Sequence, residues 1–296
     1  MLLRSQCQNV AQLFASDGLD AVAQGLLSQG VTSFVPTVIT STPDTYRKVL
    51  PLLKPRRGDH TAACVLGTHL EGPFISVQGA HPKDLMAAPA KGFNDVLDRY
   101  GEANLADVRI VTLAPELEGA TECVQKLAAR GVVVSAGHSN ASFSQATASV
   151  RAGVRLITHL FNAMVPFHHR DPGLIGLIGA ERRPGVDPPL WYSLIADGIH
   201  AHPASVKIAY RSHPAGAVLV TDAIIAMGLK PGHYEFGVQG VDVTSEPNEF
   251  TDADGHAGTA RIAETKTLAG SIVTMDKCVR NFRKFTGCET FEAIDA

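Results

Sequence analysis

Five of the short apolar runs in this 296-residue chain stop on a residue able to hold a proton or a metal ion. The runs at 63–70, 131–137, 154–159, 190–197 and 217–222 end at or beside Glu71, His138, His159, Asp197 and Asp222. Two more runs, "VTSFVPTV" (31–38) and "VRIVTLA" (108–114), bring the predicted strands to seven. Between them, segments of helical period predict helices near 18–29, 44–53, 93–100, 118–130, 142–152 and 203–212. Gly30, Gly131 and Gly153 stand where a glycine ends a helix. Strands alternating with helices predict parallel βαβ units, whose strands are buried on both faces and so read as unbroken apolar runs. A doubly wound sheet and a (β/α)8 barrel both fit that alternation. Polar residues closing so many different strands converge only if the strand ends form a ring, which selects the barrel with its site at the C-terminal mouth.

A closed barrel has eight strands, and the missing one belongs before residue 18. Either "MLLRSQCQNV" pairs as a poor substitute, or the chain lacks its natural beginning. At the other end, "KCVRNFRKFTGCETFEAIDA" predicts one helix and the start of another. The short alternating runs at 232–267 predict a hairpin-like insertion within a single domain spanning 1–296. With 45% hydrophobic and 19% charged residues, a chain of this length can bury one large α/β core. A net charge of −3 with interspersed signs argues against a nucleic-acid or anionic-membrane surface. No apolar run reaches the roughly 18 residues of a transmembrane helix, and the first residues turn polar too early for a signal peptide. Cys7, Cys64, Cys123, Cys278 and Cys288 are scattered without a CxxC pair. That argues against a disulfide framework or a cysteine-rich zinc site and points to a reducing, cytosolic compartment.

Glu71, in "HLEGPF", reads either as a carboxylate bonded to loop amides or as a metal ligand. His138 and His159 tip the balance, because three such donors on separate strand ends suit Zn2+ or a similar divalent ion with a position left open for water. Asp222 reads as an N-cap before "AIIAM" or as a general base. His200, in "ADGIHAHP", can hold or polarise a substrate oxygen, whereas Asp197 braces its loop. The segment "MVPFHHRDPG" carries His168, His169 and Arg170, either a solvated turn or a phosphate contact. "GAH" (79–81) and "TLAGS" (267–271) offer backbone amides and small side chains for close approach to a ligand, and no GxxxxGK[ST] phosphate loop is present.

In order along the chain, "HLEGPFIS", "GHSNA", "THLFNAM", "DGIH", "LVTDAI" and "TLAGS" resemble the N-acetylglucosamine-6-phosphate deacetylase family of the amidohydrolase superfamily. The resemblance runs from about residue 20 to the end. It implies a metal-dependent TIM-like barrel that hydrolyses the acetamide of N-acetylglucosamine 6-phosphate to glucosamine 6-phosphate and acetate. Carried over by motif, Glu71, His138 and His159 match the metal ligands, for one divalent ion per subunit with zinc the first choice. Asp222 matches the catalytic acid/base, and His200 a substrate contact near the scissile amide. Ala80, His81, Asn162, Ala163 and Leu268, Ala269 and Gly270 match further substrate contacts. Arg170 matches an arginine that reaches the phosphate in the neighbouring subunit, which implies a homodimer. The resemblance also implies a small β-sandwich and a first barrel strand before residue 18, and a closing βα unit beyond Ala296. The chain is therefore expected to be a shortened form, with a short loop at 74–81 and a long insertion near 245–263. Two other readings stand beside it. One is a related metal-dependent amidohydrolase acting on another N-acyl or cyclic amide, which Arg170 and "FNAM" disfavour. The other is a non-catalytic variant that pairs with a full-length subunit.

Overall fold

The computed structural model of the chain describes residues 2–3, 16–181, 187–236, 239–248, 250 and 256–296. Strands β1 (Leu2–Leu3), β2 (Ser33–Phe34), β3 (Thr37–Ile39), β4 (Cys64–Val65), β5 (Thr68–Glu71), β6 (Val108–Leu113), β7 (Val133–Ala136), β8 (Val154–Ile157), β9 (Trp191–Leu194) and β10 (Ala217–Leu219) follow the predicted alternation. The main sheet has the order β1-β3-β5-β6-β7-β8-β9-β10, and all of its pairings are parallel. Leu2–Leu3 pair with Thr37–Val38 at one end of the row; Cys7, with the rest of 4–15, lies outside the described residues. Among the described residues no pairing joins β1 to β10. The curl of the sheet nevertheless brings the ends of its strands around one mouth.

The predicted strands 31–38 and 63–70 are each two strands. Pro36 has no amide hydrogen to give a ladder, and its carbonyl accepts from His69 N at 3.0 Å. The bend there, matched by one at Gly67, separates the small parallel pair β2–β4 from β3 and β5 of the main sheet.

Helices α1 (Ser16–Leu27), α2 (Pro43–Val49), α3 (Phe93–Tyr100), α4 (Ala120–Ala129), α5 (Phe143–Ala152) and α6 (Pro203–Ser212) connect the strands, and α7 (Met275–Thr286) and α8 (Thr290–Asp295) close the described chain. Thr42 caps α2 with Pro43 in its first turn, and Ser142 forms a capping box with Gln145 on α5. Gly30, Gly131 and Gly153 follow helices with φ of 78°, 79° and 139°. Among the described residues no helix is long and apolar enough to cross a membrane. Val96, Tyr100, Val124, Leu127, Ala146 and Val206 on the helices pack with Val38, Leu70, Val111, Val134 and Ile157 of the sheet in one core.

The sheet's inner face is polar one layer below the mouth. His69 Nε2 lies 2.7 Å from Thr112 Oγ1 and its Nδ1 3.0 Å from Thr37 Oγ1. Thr112 bonds Thr158 at 2.7 Å, and Thr158 bonds Ser135 at 2.5 Å. Burial pushes the His69 imidazole down to about 4, so at neutral pH the ring is uncharged and gives one donor and one acceptor to this chain of hydroxyls.

Residues 232–270 form a second, antiparallel sheet of β11 (Gly232–Phe236), β12 (Gln239–Pro247), β13 (His256–Ile262) and β14 (Leu268–Gly270). It is larger than the hairpin expected over 232–267, because β13 adds a third strand and "LAG" a fourth. Residues 237–238, 249 and 251–255 of this segment lie outside the described residues. Val241 and Val243 alternate with the more exposed Asp242 and Thr244, the pattern of a strand with one buried face. That face meets Ile39, at the end of β3, and Ile224, just past Asp222. The small sheet therefore sits at the barrel mouth.

Candidate functional site

Glu71 ends β5 and is fixed by pairing with β3 on one side and β6 on the other. Among the described residues its carboxylate accepts from no loop amide. Its Oε1 instead lies 3.0 Å from His138 Nε2 and 3.0 Å from His159 Nε2, and the two nitrogens are 3.1 Å apart. His138 stands two residues past β7 and His159 two past β8, and all three side chains are buried. His138 Nδ1 donates to Val77 O at 2.8 Å, which leaves the Nε2 lone pair facing the triangle. His159 Nδ1 is buried with no partner among the described residues.

Three lone-pair atoms this close repel unless positive charge sits among them. Burial alone would lower His159, but the hydrogen bond and charge of Glu71 overcome it and push the ring up to about 9. Burial would raise Glu71, yet His138 and His159 hold it well below the usual carboxylate range. The cluster calls for a cation, and one carboxylate with two imidazoles is a donor set suited to a divalent ion. The residues present fit such an ion.

Asp222 lies three residues past β10, and no helix follows it for an N-cap to serve. Ser271 N donates to its carbonyl at 2.9 Å, which ties it to the segment after β14. Burial, then the charge of Glu71, raises its carboxyl above the ordinary value, while His159 and His200 oppose the rise. His138, His159 and Asp222 have φ of 48°, 31° and 50°. For residues with a Cβ that conformation costs about 1 to 3 kcal/mol each, and it breaks the strand direction at each of these three ends.

These residues face a cavity of about 300 Å³ lined by every site residue that the resemblance implies except Arg170; Asp197, His168 and His169 do not line it. Ala80 and His81 border it on one side, Asn162 and Ala163 on another, His200 on a third, and β14 closes it with Leu268, Ala269 and Gly270. His81 Nδ1 bonds Thr40 Oγ1 at 2.8 Å, with Nε2 4.0 Å from Glu71 Oε1. Arg170 stands on an exposed loop, with its guanidinium 3.1 Å from His169 Nε2. A second cavity of about 350 Å³ touches Glu71, His159 and Asp222 from within the barrel, but its lining is mainly apolar, with Phe34, Val35, Leu66 and Ile110 among its walls. The polar groups converge on the first.

Several residues at the cavity carry no clear signal in the sequence. Ile39 and Gly79 line the cavity, as do Thr267 and Lys266, an exposed cation at its rim. Glu116 accepts from Ser76 Oγ, from Ser139 Oγ at 2.7 Å and from Asn140 N at 2.5 Å. It thereby clamps the loop after Glu71 to the loop after His138. Its signal was available, since Glu116 too closes an apolar run, "VRIVTLAPE".

Gly72, next to Glu71, has φ of 75°, and a Cβ there would sit 2.2 Å from Thr40 Oγ1, the atom that holds His81. Gly131 has φ of 79° but no atom within 4 Å of the same position. Gly131→Ala is expected to cost about 1 to 2 kcal/mol from left-handed strain alone. Gly72→Ala should cost a further 1 to 3 kcal/mol, roughly, from overpacking. Thermal melts of the two variants separate these terms, and equal losses would show that the contact with Thr40 is irrelevant.

No protein-family model matches the chain. A curated N-acetylglucosamine-6-phosphate deacetylase from Homo sapiens is 50% identical over 282 residues, covering 94% of this chain and 65% of the relative. The enzyme of the same name from Lysinibacillus sphaericus is 37% identical over 295 residues, covering 94% of this chain and 69% of the relative. Among solved structures, a mutant N-acetyl-D-glucosamine-6-phosphate deacetylase from Mycobacterium smegmatis, in complex with N-acetyl-D-glucosamine-6-phosphate, superposes with a TM-score of 0.76 at 30% identity. That match covers 95% of this chain and 69% of the solved one. The chain spans about two thirds of the length of the curated relatives it matches.

Proposed function

Because this chain belongs to the N-acetylglucosamine-6-phosphate deacetylase family, we propose that it hydrolyses N-acetylglucosamine 6-phosphate to glucosamine 6-phosphate and acetate. The observation that carries the reading is the buried triangle of Glu71, His138 and His159 sharing one cavity with Asp222. Glu71, His138 and His159 would hold one divalent ion, zinc by its affinity for this donor set, which supplies Lewis acidity toward water and an amide carbonyl. Asp222 takes the proton of the attacking water and delivers it to the amide nitrogen as the carbon–nitrogen bond breaks. His200, on the cavity wall, donates to the carbonyl oxygen as negative charge develops there. Asn162, Ala163, Ala80, His81 and the β14 residues Leu268, Ala269 and Gly270 shape the pocket around the sugar.

Arg170 is the phosphate contact in this reading. Its exposed place, away from the cavity of its own chain, supports service to the site of a second copy, and hence a homodimer. Lys266 at the rim adds a cation from the same chain. Cys64, Cys123, Cys278 and Cys288 are free thiols, which suits the reducing cytosol.

The test is acetate release from N-acetylglucosamine 6-phosphate by the purified chain loaded with zinc, beside a chelated sample and the unphosphorylated sugar. Chelator-sensitive release that strongly prefers the phosphorylated substrate is expected. A folded, zinc-loaded chain that releases no acetate would defeat the proposal.

A further inference from the structure

Between β9 and α6 the loop carrying His200 is built around Asp197. Both side chains are about nine-tenths buried, with 6% of each exposed. Asp197 Oδ1 accepts from the backbone of Ile199 and of His200, each at 2.8 Å, and Oδ2 accepts from His200 Nδ1 at 2.6 Å. The loop itself is anchored, since buried Asn281 donates from Nδ2 to Ala196 O at 2.9 Å. A carboxylate accepting three donors requires the ring hydrogen on Nδ1. The second nitrogen of His200 has no partner among the described residues, and the residue lines the cavity that holds Glu71 and Asp222.

We propose that Asp197 is the positioning residue for His200: it fixes the ring's tautomer and orientation and supplies the charge that lets Nε2 act as a donor toward the substrate carbonyl. This rests on the deacetylase reading and deepens it. With Nδ1–H committed to Asp197, a donor toward the substrate has to be the ring's second N–H, and the carboxylate at 2.6 Å lies directly behind it on the far side of the ring. A loop brace alone would need only Oδ1, which already satisfies the two backbone amides. The oxygen aimed at the ring is the one a purely structural role leaves unexplained.

Asp197→Asn separates the two roles. Its side-chain oxygen still accepts from Ile199 N and His200 N, while the amide NH2 faces His200 Nδ1 and reverses the ring's hydrogen bond. On the zinc-loaded chain, the nitrogen-15 spectrum of the histidine rings should show His200 with hydrogen on Nδ1, assigned by its disappearance in His200→Asn. In Asp197→Asn that hydrogen should move to Nε2. The variant should lose roughly 10- to 1,000-fold in kcat, the range for a weakened transition-state donor, with KM changed less than about threefold. Added to His200→Asn, it should cost nothing more. Unchanged ring nitrogens in Asp197→Asn, or a loss that simply adds to that of His200→Asn, would overturn the proposal. The spectrum does not depend on turnover. A wild-type chain without activity would therefore defeat the deacetylase reading, while the ring nitrogens still decide what Asp197 does.

Discussion

Replacing His159 with alanine is expected to strip the bound metal and abolish turnover while the fold survives. His159 supplies one corner of a triangle whose sides are 3.0, 3.0 and 3.1 Å. Loss of a group merely hydrogen-bonded to a ligand costs roughly 10- to 100-fold in metal affinity or activity, so loss of a ligand itself should exceed about 100-fold. Metal analysis after dialysis should fall from near one equivalent to near zero, with the circular dichroism spectrum of the wild type. His200→Ala, which leaves the triangle whole, should keep its metal. The ion-free triangle also binds a proton, because Glu71 pushes His159 up to about 9. An incoming cation displaces that proton, so affinity should fall by about tenfold for each pH unit below that value. Titrations of the wild type at two pH values check the sign. A His159→Ala chain that retained a full equivalent of zinc would remove this triangle from consideration.

The convergence of the candidate residues was legible because barrel geometry converts a one-dimensional signal into a three-dimensional one. Glu71, His138, His159 and Asp222 are far apart in the sequence, yet each closes an apolar run, and the parallel sheet brings them to one mouth. The helices were legible from their period and their stops, as the agreement at 93–100, 142–152 and 203–212 illustrates. Breaks inside the strands were harder. Pro36 and Gly67 divide two runs whose apolar character continues across the bend, as Phe34 and Val38 or Val65 and Leu70 show, so composition does not mark it. The last two strands of the small sheet leave little trace in the sequence, because "HAGTARI" carries few large apolar residues and β14 is only three residues long, too short for alternation to show. Ile39 and Lys266 were invisible for a different reason. Their place at the cavity depends on how that sheet sits over the barrel, which local pattern does not encode. Arg170 shows the limit from the other side, since its motif was legible but it does not line the cavity that gathers the other candidate residues.

Asp222→Asn is expected to lower kcat by about 10²- to 10⁴-fold, the usual worth of a positioned acid or base, and to leave metal content near that of the wild type. The substitution keeps size and hydrogen-bonding shape but removes the oxygen that can accept a proton. Asp222 lies outside the Glu71–His138–His159 triangle, so no ligand is lost. Its environment suits proton transfer. Burial and the nearby charge of Glu71 raise its proton affinity above that of a free aspartate, while His159 and His200 restrain the rise. A base with raised affinity holds a transferred proton better and must be ionised to begin, so the wild-type kcat should fall as pH drops through its titration. Asp222→Asn should lose that acidic limb together with its rate. If the variant instead lost metal in proportion to activity, Asp222 would be a ligand, and proton transfer would have to be assigned elsewhere. Retained metal with a flat, slow pH profile is the combination that only a missing proton carrier produces, because neither misfolding nor a damaged metal site leaves one property whole and removes the other.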